Sequence, residues 1–229
     1  MLVLALDTTT RPGSCAVASG ARILHEAVGD PSRSQAERLP AELIALLEHA
    51  RVSLDDVDVF AVATGPGSFT GLRIGIATMQ GLAFAAGKPL VGVSGLDALA
   101  QLGEAEADGS AIATWVDAWR GEVYAARYER GAQIQPPLVA KPGDLLAGSA
   151  RTPTLFIGDG AQVYRGEILA SLGGAARIAR AVHPPLAATI AITAGVTAQR
   201  GECPHPHAIR PLYVRRTDAE LAKDARLAG

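Results

Sequence analysis

Aromatic residues and cysteines are scarce in this chain of 229 residues. Phe, Trp and Tyr make up 4% of it, and the only two cysteines, Cys15 and Cys203, lie far apart. Two distant cysteines form neither a disulfide framework nor a metal-binding pair, which favours a reducing compartment. The N-terminal segment lacks the basic start of a signal peptide, and no run approaches the roughly 20 apolar residues of a membrane span. We therefore expect a cytoplasmic protein.

A strong charge of one sign is also missing. The chain has 21 Lys and Arg against 23 Asp and Glu, a formal net charge of −2. Such a chain has no overall positive field to attract nucleic acid or an acidic membrane. Its length fits one large α/β unit or two lobes of about 100 residues.

Standard catalytic motifs are absent from the sequence. It contains no HExxH, HxxxH or GxSxG motif, so it lacks the signatures of common metallopeptidases and α/β-hydrolases. Cys203, His205 and His207 alternate with prolines and have no fourth ligand nearby in the sequence. We interpret them as part of a surface linker. The sequence predicts no catalytic residue and no metal site.

Apolar periodicity predicts a mixed sheet with helices packed on it. The helical period covers 35–50, but Pro40 lies inside it, so we expect the helix to begin near Pro40. In chain order, the predicted strands of the first half are 2–7, 14–19, 21–28, 56–64 and 89–94, and the predicted helices are 40–50, 70–86 and 96–104.

Segment 111–136 repeats the pattern of segment 2–26. In each, an apolar strand ends at an aspartate, Asp7 or Asp117, and two further strands follow across glycine-containing turns. Such a repeat indicates duplicated lobes. We place the boundary in the acidic segment 104–110, which gives lobes 1–104 and 105–229. The smaller second lobe ends in a basic tail with Arg210, Arg215, Arg216, Lys223 and Arg226.

The glycine cluster at 65–71, GPGSFTG, lies between a predicted strand and a helix. It has no lysine where GxxxxGK[ST] needs one, and its third glycine comes one residue late for GxGxxG. Gly65 and Gly67 also permit a tight turn, and Ser68 or Thr70 can cap the helix. A vestigial nucleotide site would comprise Asp7, Thr8, Thr9, Gly65, Gly67 and Ser68. Asp7, Thr8 and Thr9 are equally consistent with an ordinary turn.

The helix after this loop carries small residues on one face. Gly71 and Gly75 are four residues apart, so they share a side of the helix with Thr78, Met79 and Leu82. A small-residue face lets another element approach closely. That element is either this chain's own sheet or a second subunit.

Four segments, in order, resemble the bacterial TsaB (YeaZ) family: LALDTTT, GPGSFTGLRIGIATMQGLA, VDAWRGEVYAARY and RPLYVRR. The resemblance spans nearly the whole chain and is weakest across 135–200. It implies an α/β architecture, the actin-like or Hsp70-type ATPase fold. This fold has two RNase H-like lobes, each with a mixed sheet flanked by helices.

The resemblance also implies a function. Members are non-catalytic subunits in the synthesis of N6-threonylcarbamoyladenosine, next to the anticodon of tRNA. They bind and activate the catalytic paralogue TsaD together with the ATPase TsaE, and they form homodimers when alone. The resemblance implies tRNA binding only within the complex, no cofactor of the chain's own and no membrane. It leaves open whether ATP or ADP binds at the complex interface.

The surface for TsaD is implied to lie on the first two helices, at about 40–50 and 70–86. The residues assigned to it are Leu39, Leu43, Leu46, Gly71, Arg73, Ile74, Gly75, Thr78, Met79 and Leu82. Two alternatives remain. The first is a small-molecule kinase or ATPase of the same fold, suggested by Asp7 and the glycine loop. The second is a metallopeptidase, such as the zinc glycoprotease after which the wider family was once named, but the sequence does not support that activity.

Overall fold

The computed structural model describes residues 1–147, 152–181 and 184–214. Its first half forms a five-stranded mixed sheet in the order β3-β2-β1-β4-β5. Strands β1, β2 and β3 are antiparallel neighbours, whereas β4 and β5 run parallel to β1. The elements are β1 (Leu2–Asp7), β2 (Ser14–Ser19), β3 (Arg22–Val28), α1 (Gln35–Ala50), β4 (Val59–Gly65), α2 (Phe69–Ala86), β5 (Leu90–Ser94) and α3 (Gly95–Ala107).

The second half repeats this topology in a sheet of order β10-β9-β6-β7-β8. Strand β6 pairs antiparallel with β7 and parallel with β9, as β1 pairs with β2 and β4. The predicted duplication is therefore confirmed. The elements are β6 (Ala111–Asp117), β7 (Val123–Glu129), β8 (Ala132–Ala140), α4 (Pro142–Ala147), β9 (Thr154–Ile157), α5 (Asp159–Val163), α6 (Arg165–Leu172), β10 (Ala176–Ile178) and α7 (Ala187–Gln199).

Helices α3 and α7 join the two sheets through one continuous core. Helix α3 packs on β6 and β9 of the second sheet, while α7 packs on β1, β2 and β4 of the first. Their buried side chains, among them Leu99 and Ile190, belong to a cluster that contains residues of both sheets. The boundary predicted at 104/105 thus falls inside α3, and α7 returns from the second half to the first sheet.

Helix α1 begins at Gln35, five residues before the predicted start at Pro40. The carboxylate of Glu37 accepts hydrogen bonds from the N–H and the hydroxyl of Ser34, at 3.1 and 2.7 Å. These bonds secure the first turn, so the helix tolerates Pro40 as its sixth residue.

The apolar pattern does not predict the short elements of the second half. Helix α4, strand β10 and the division of residues 159–172 into two consecutive helices, α5 and α6, were not predicted. Elements of three to eight residues carry too few periods for an apolar pattern to be recognised. Within the described residues, no helix is both long and apolar enough to cross a membrane.

Candidate functional site

The turn after β1 closes around the carboxylate of Asp7. Asp7 is 3% exposed, and its Oδ1 accepts a hydrogen bond from the N–H of Thr9 at 2.8 Å. Burial raises the pKa of Asp7, and the hydrogen bonds from Thr9 oppose the shift. After β6, Asp117 Oδ1 accepts from the N–H of Trp119 at 3.0 Å in the same way. Both lobes therefore end their first strand in an Asx turn.

The glycine loop lies directly against the turn after β1. The N–H of Ser68 donates to the carbonyl oxygen of Thr9 at 2.8 Å, and a Cβ on Gly67 would lie 2.5 Å from that oxygen. The hydroxyl of Ser68 accepts from the N–H of Gly71 at 3.2 Å, which confirms Ser68 as the cap of α2. The backbone N–H and the hydroxyl of Ser68 are therefore bonded within the chain.

Because Gly71 and Gly75 have no side chain, α2 can lie directly against the turn after β1. A Cβ on Gly71 would lie 2.2 Å from the carbonyl oxygen of Thr8, and a Cβ on Gly75 would lie 2.1 Å from Thr8 Oγ1. From α1, the side-chain amide of Gln35 donates to the carbonyl oxygens of Thr8 and Thr10, at 3.3 and 2.9 Å. The element that lies against Gly71 and Gly75 is therefore part of this chain, the turn after β1, and not a second subunit.

A small cavity separates the lobes beside Asp7. Its volume is about 40 Å³, and Asp7, Thr9 and Pro66 line it opposite Gly158 and Asp159 of the second lobe. A water molecule needs about 10–15 Å³ measured in this way, so the cavity holds a few waters. Pockets for drug-sized ligands measure roughly 300–1,000 Å³. A nucleotide would fit only if the lobes separated.

The N-terminus of α7 borders this cavity, and its N–H groups are already bonded to the first sheet. The hydroxyl of Ser14 accepts from the N–H groups of Leu186 and Ala187 at 3.2 and 3.1 Å. A carboxylate oxygen of Glu26 accepts from the N–H of Ala188 at 2.9 Å. Phosphates bind at helix N-termini through such groups. Here they bind the start of α7 to the first sheet.

Six of the ten residues assigned to the partner surface are buried in this chain: Leu39, Leu43, Leu46, Gly71, Gly75 and Met79. The leucines and Met79 belong to the core beneath the first sheet. Their assignment to a partner surface is corrected, because the apolar side of α1 and the small side of α2 both face this core. Of the other four, Arg73 is exposed, and Ile74, Thr78 and Leu82 are half-buried.

An apolar surface does remain on the outward sides of α1 and α2. We call it the outer helix face: it comprises the exposed residues Ile44, Ala77 and Gly81 and is bordered by the half-buried Ile74, Thr78 and Leu82. Ile44 is 59% exposed, Ala77 and Gly81 are exposed, and nothing lies within 4 Å of a Cβ built on Gly81. Ile44, Ala77 and Gly81 were not among the residues predicted for the partner surface. Small residues occur on every side of α2. The prediction was based on the pair Gly71 and Gly75, which faces inward.

Cys203, His205 and His207 lie near the end of the described chain. His205 and His207 are exposed and Cys203 is half-buried, and the imidazole rings of the histidines lie 5.0 Å apart. Among the described residues, no group of three or more His, Cys, Asp or Glu side chains is placed to hold a metal ion.

Two topologically equivalent mixed sheets joined by central helices define an actin-like ATPase fold. The ROK hexokinase of Thermus thermophilus shares the fold at 15% sequence identity, with a TM-score of 0.52 over 88% of this chain and 100% of that chain. At this identity the likeness concerns the fold alone.

The chain belongs to the TsaB (YeaZ) family. The family model described as TsaD, tRNA N6-adenosine threonylcarbamoyltransferase, matches residues 29–223. YeaZ from Pseudomonas aeruginosa is 31% identical, with a TM-score of 0.78 over 93% of this chain and 99% of that chain. The TsaB protein of Bacillus subtilis is 28% identical over 227 residues, 96% of each chain. An uncharacterised Mycobacterium leprae protein is 36% identical over 155 residues, 66% of this chain but 42% of that longer protein.

Proposed function

We propose that this protein acts in the synthesis of N6-threonylcarbamoyladenosine on tRNA as a non-catalytic subunit. In this role it binds and activates a TsaD-type transferase together with the ATPase TsaE. The family membership supports the pathway, since B. subtilis TsaB is named a tRNA threonylcarbamoyladenosine biosynthesis protein. The proposal gives the chain no cofactor of its own, leaves ATP or ADP to the contact with TsaD, and places the reaction in the cytoplasm.

The outer helix face is the observation that carries this proposal. It combines an exposed aliphatic side chain, Ile44, with exposed small residues, Ala77 and Gly81, on a neighbouring helix. Such a surface lets a partner helix approach closely and bury apolar area. A partner that binds this face in only one arrangement of its own lobes would be shifted towards that arrangement. Activation then needs no catalytic group from this chain.

The test introduces bulk or charge on the outer helix face. Gly81→Leu and Ala77→Arg are expected to abolish co-purification with TsaD and TsaE and to remove the stimulation of threonylcarbamoyl transfer. The matched control is Ala170→Arg, because Ala170 is an exposed alanine in helix α6 of the second lobe. An unchanged complex with both outer-face variants, each folded by circular dichroism, would show that TsaD binds elsewhere.

A second candidate is a small-molecule kinase or ATPase of this fold, because Asp7 lies at the cavity between the lobes. Calorimetry of the isolated chain with ATP and Mg²⁺ tests it. Tight binding with turnover, lost in Asp7→Asn, would favour this candidate over the scaffold. The cavity of about 40 Å³ and the bonded N-terminus of α7 support the scaffold.

A further inference from the structure

The flank of α2 that faces away from α1 carries a segment from the far end of the chain. We call this segment, residues 205–213, the strap. The side-chain amide of Gln80 donates to the carbonyl oxygens of Pro206 and Ile209, at 2.9 and 3.2 Å. The N–H of Leu212 donates to the carbonyl oxygen of Thr64 at 2.7 Å. These bonds hold the strap in a fixed position beside the helix.

Aromatic rings lie exposed where the strap meets the start of α2. Phe69 is 40% exposed and Tyr213 is 45% exposed, and their ring centroids are 5.3 Å apart. The guanidinium of Arg73 stacks 3.8 Å above the centroid of Phe69, and its Nε donates to the hydroxyl of Tyr213 at 3.1 Å. Two rings and a guanidinium plane are thus fixed in one cluster that solvent can reach.

A second exposed cluster lies at the other end of α2. Phe84 is 70% exposed, and its ring centroid is 5.8 Å from that of His207 on the strap. Phe69 and Phe84 are 15 residues apart in one helix, which corresponds to about 22 Å at a rise of 1.5 Å per residue. The flank therefore presents two stacking positions along one line.

The charge of this flank is positive. Segments 69–86 and 203–214 contain Arg73 and Arg210 and have no Asp or Glu in their sequence. The outer helix face borders this flank on the exposed side of α2, since Ala77 follows Arg73 by four residues and Gly81 precedes Phe84 by three, and it consists of aliphatic and small residues. The two surfaces therefore suit partners of different chemistry.

We infer that the flank formed by Phe69, Arg73, Phe84, His207 and Tyr213 binds a single-stranded segment of RNA. Single-stranded bases stack on aromatic rings and on arginine planes, while basic groups hold the phosphates. Aromatic side chains and arginine are also enriched at protein contacts, so the test below separates loss of RNA from loss of TsaD. This inference goes beyond the scaffold role and does not depend on it, because RNA binding can be measured without TsaD.

The experiment measures the binding of a short fluorescein-labelled single-stranded RNA to the isolated full chain by fluorescence anisotropy. Phe69→Ala and Tyr213→Ala are each expected to weaken binding about tenfold, the usual loss for one stacked base. Arg73→Gln is expected to weaken binding and to lower the slope of log affinity against log salt by about one. Thermal unfolding of each variant checks that the fold is intact.

Three control variants test whether RNA binding depends on the rings of this flank. Tyr213→Phe keeps the ring and should bind nearly as well as the wild type. Trp119→Ala removes a 58% exposed aromatic residue of the other lobe and should leave RNA binding unchanged. Gly81→Leu should lose TsaD yet keep RNA. The inference is overturned if the wild type binds no RNA, if Trp119→Ala loses as much as Phe69→Ala, or if the flank variants lose TsaD and keep RNA.

Discussion

Thr8 Oγ1 occupies the space that a side chain would need at Gly75. A Cβ built on Gly75 would lie 2.1 Å from this oxygen and 3.1 Å from the Thr8 methyl carbon. Thr8 belongs to the turn after β1 and Gly75 to the second turn of α2, so the contact fixes the helix on the first strand. The glycine of the family signature is needed here for packing within one chain.

The first prediction is that Gly75→Ala destabilises the protein. The methyl group overlaps Thr8 Oγ1, and such overpacking costs about 1–3 kcal/mol. The double variant Thr8→Ala/Gly75→Ala should regain most of this loss, because Thr8→Ala removes the overlapping oxygen. Urea unfolding of the two single variants and the double variant gives the coupling energy.

Gly81→Ala is the matched control in the same helix. Nothing lies within 4 Å of a Cβ at Gly81, so alanine gains its helix propensity of about 1 kcal/mol over glycine. We expect this variant to be more stable than the wild type. Equal changes at Gly75 and Gly81 would mean that helix propensity alone, and not contact with Thr8, determines the effect.

The long periodic segments of the first half predict the first sheet. Packing between elements that are far apart in the sequence could not be predicted. Strands β1 and β2 lie where the apolar runs placed them, and the repeated aspartate pattern revealed the duplication. The packing of α7 on the first sheet could not be predicted from the sequence. An alanine-rich helix without a polar side does not indicate which sheet it packs on. The predicted lobe boundary at 104/105 lies within α3, since α3 continues to Ala107.

The partner surface predicted on α1 and α2 included many inward-facing residues. Leu39, Leu43 and Leu46 carry the apolar period of α1, and such a period marks the side that faces a protein's own core. The outer side has no comparable signal, since Ile44 is the one large exposed apolar side chain of α1. Only the packing of α1 and α2 separates the two sides.

The second prediction concerns Arg38, a buried arginine that ties α1 to the loop before β2. Arg38 is 3% exposed. Its Nη1 pairs with a carboxylate oxygen of Glu42 at 2.6 Å, and its Nη2 donates to the carbonyl oxygens of Arg11 and Pro12 at 3.1 and 2.5 Å. Arg38→Met should lower the unfolding free energy by about 3 kcal/mol, because these acceptors lose a charged donor.

Arg38→Lys should recover less than half of that loss, since a single ammonium cannot replace two forked donors. Glu42→Gln should cost less than Arg38→Met, because Glu42 is partly exposed and water can replace it. Urea unfolding at neutral pH compares the three variants. A lysine variant as stable as the wild type would show that charge alone, without the forked geometry, is sufficient.

The third prediction is a pH dependence at Asp7. Burial raises the pKa of Asp7 in the folded chain above its ordinary value of 3.8. Its contribution to stability is therefore fully present below that value and is lost as the pH rises through the folded pKa. Asp7→Asn keeps an oxygen for the Thr9 N–H and carries no charge to desolvate. Relative to the wild type, this variant should gain stability as the pH rises above about 4.

Unfolding by urea at a series of pH values checks this prediction, and Asp58→Asn serves as a control. Asp58 is exposed in the first lobe, so its neutralisation should not reproduce the rise. Parallel stability curves for the wild type and Asp7→Asn would contradict a desolvated carboxylate at the turn.

The last prediction follows from assigning one surface to two partners. We propose that the isolated chain forms a homodimer through the outer helix face that also binds TsaD, so the two assemblies would exclude each other. Adding TsaD to the isolated chain should therefore convert homodimer into heterodimer without a larger intermediate, as measured by light scattering after size exclusion. Ile44→Asp should lose both assemblies together, because a carboxylate at a buried apolar contact loses its hydration without gaining a partner. A variant that loses the homodimer yet binds TsaD with unchanged affinity would separate the two surfaces and restrict the outer helix face to self-association.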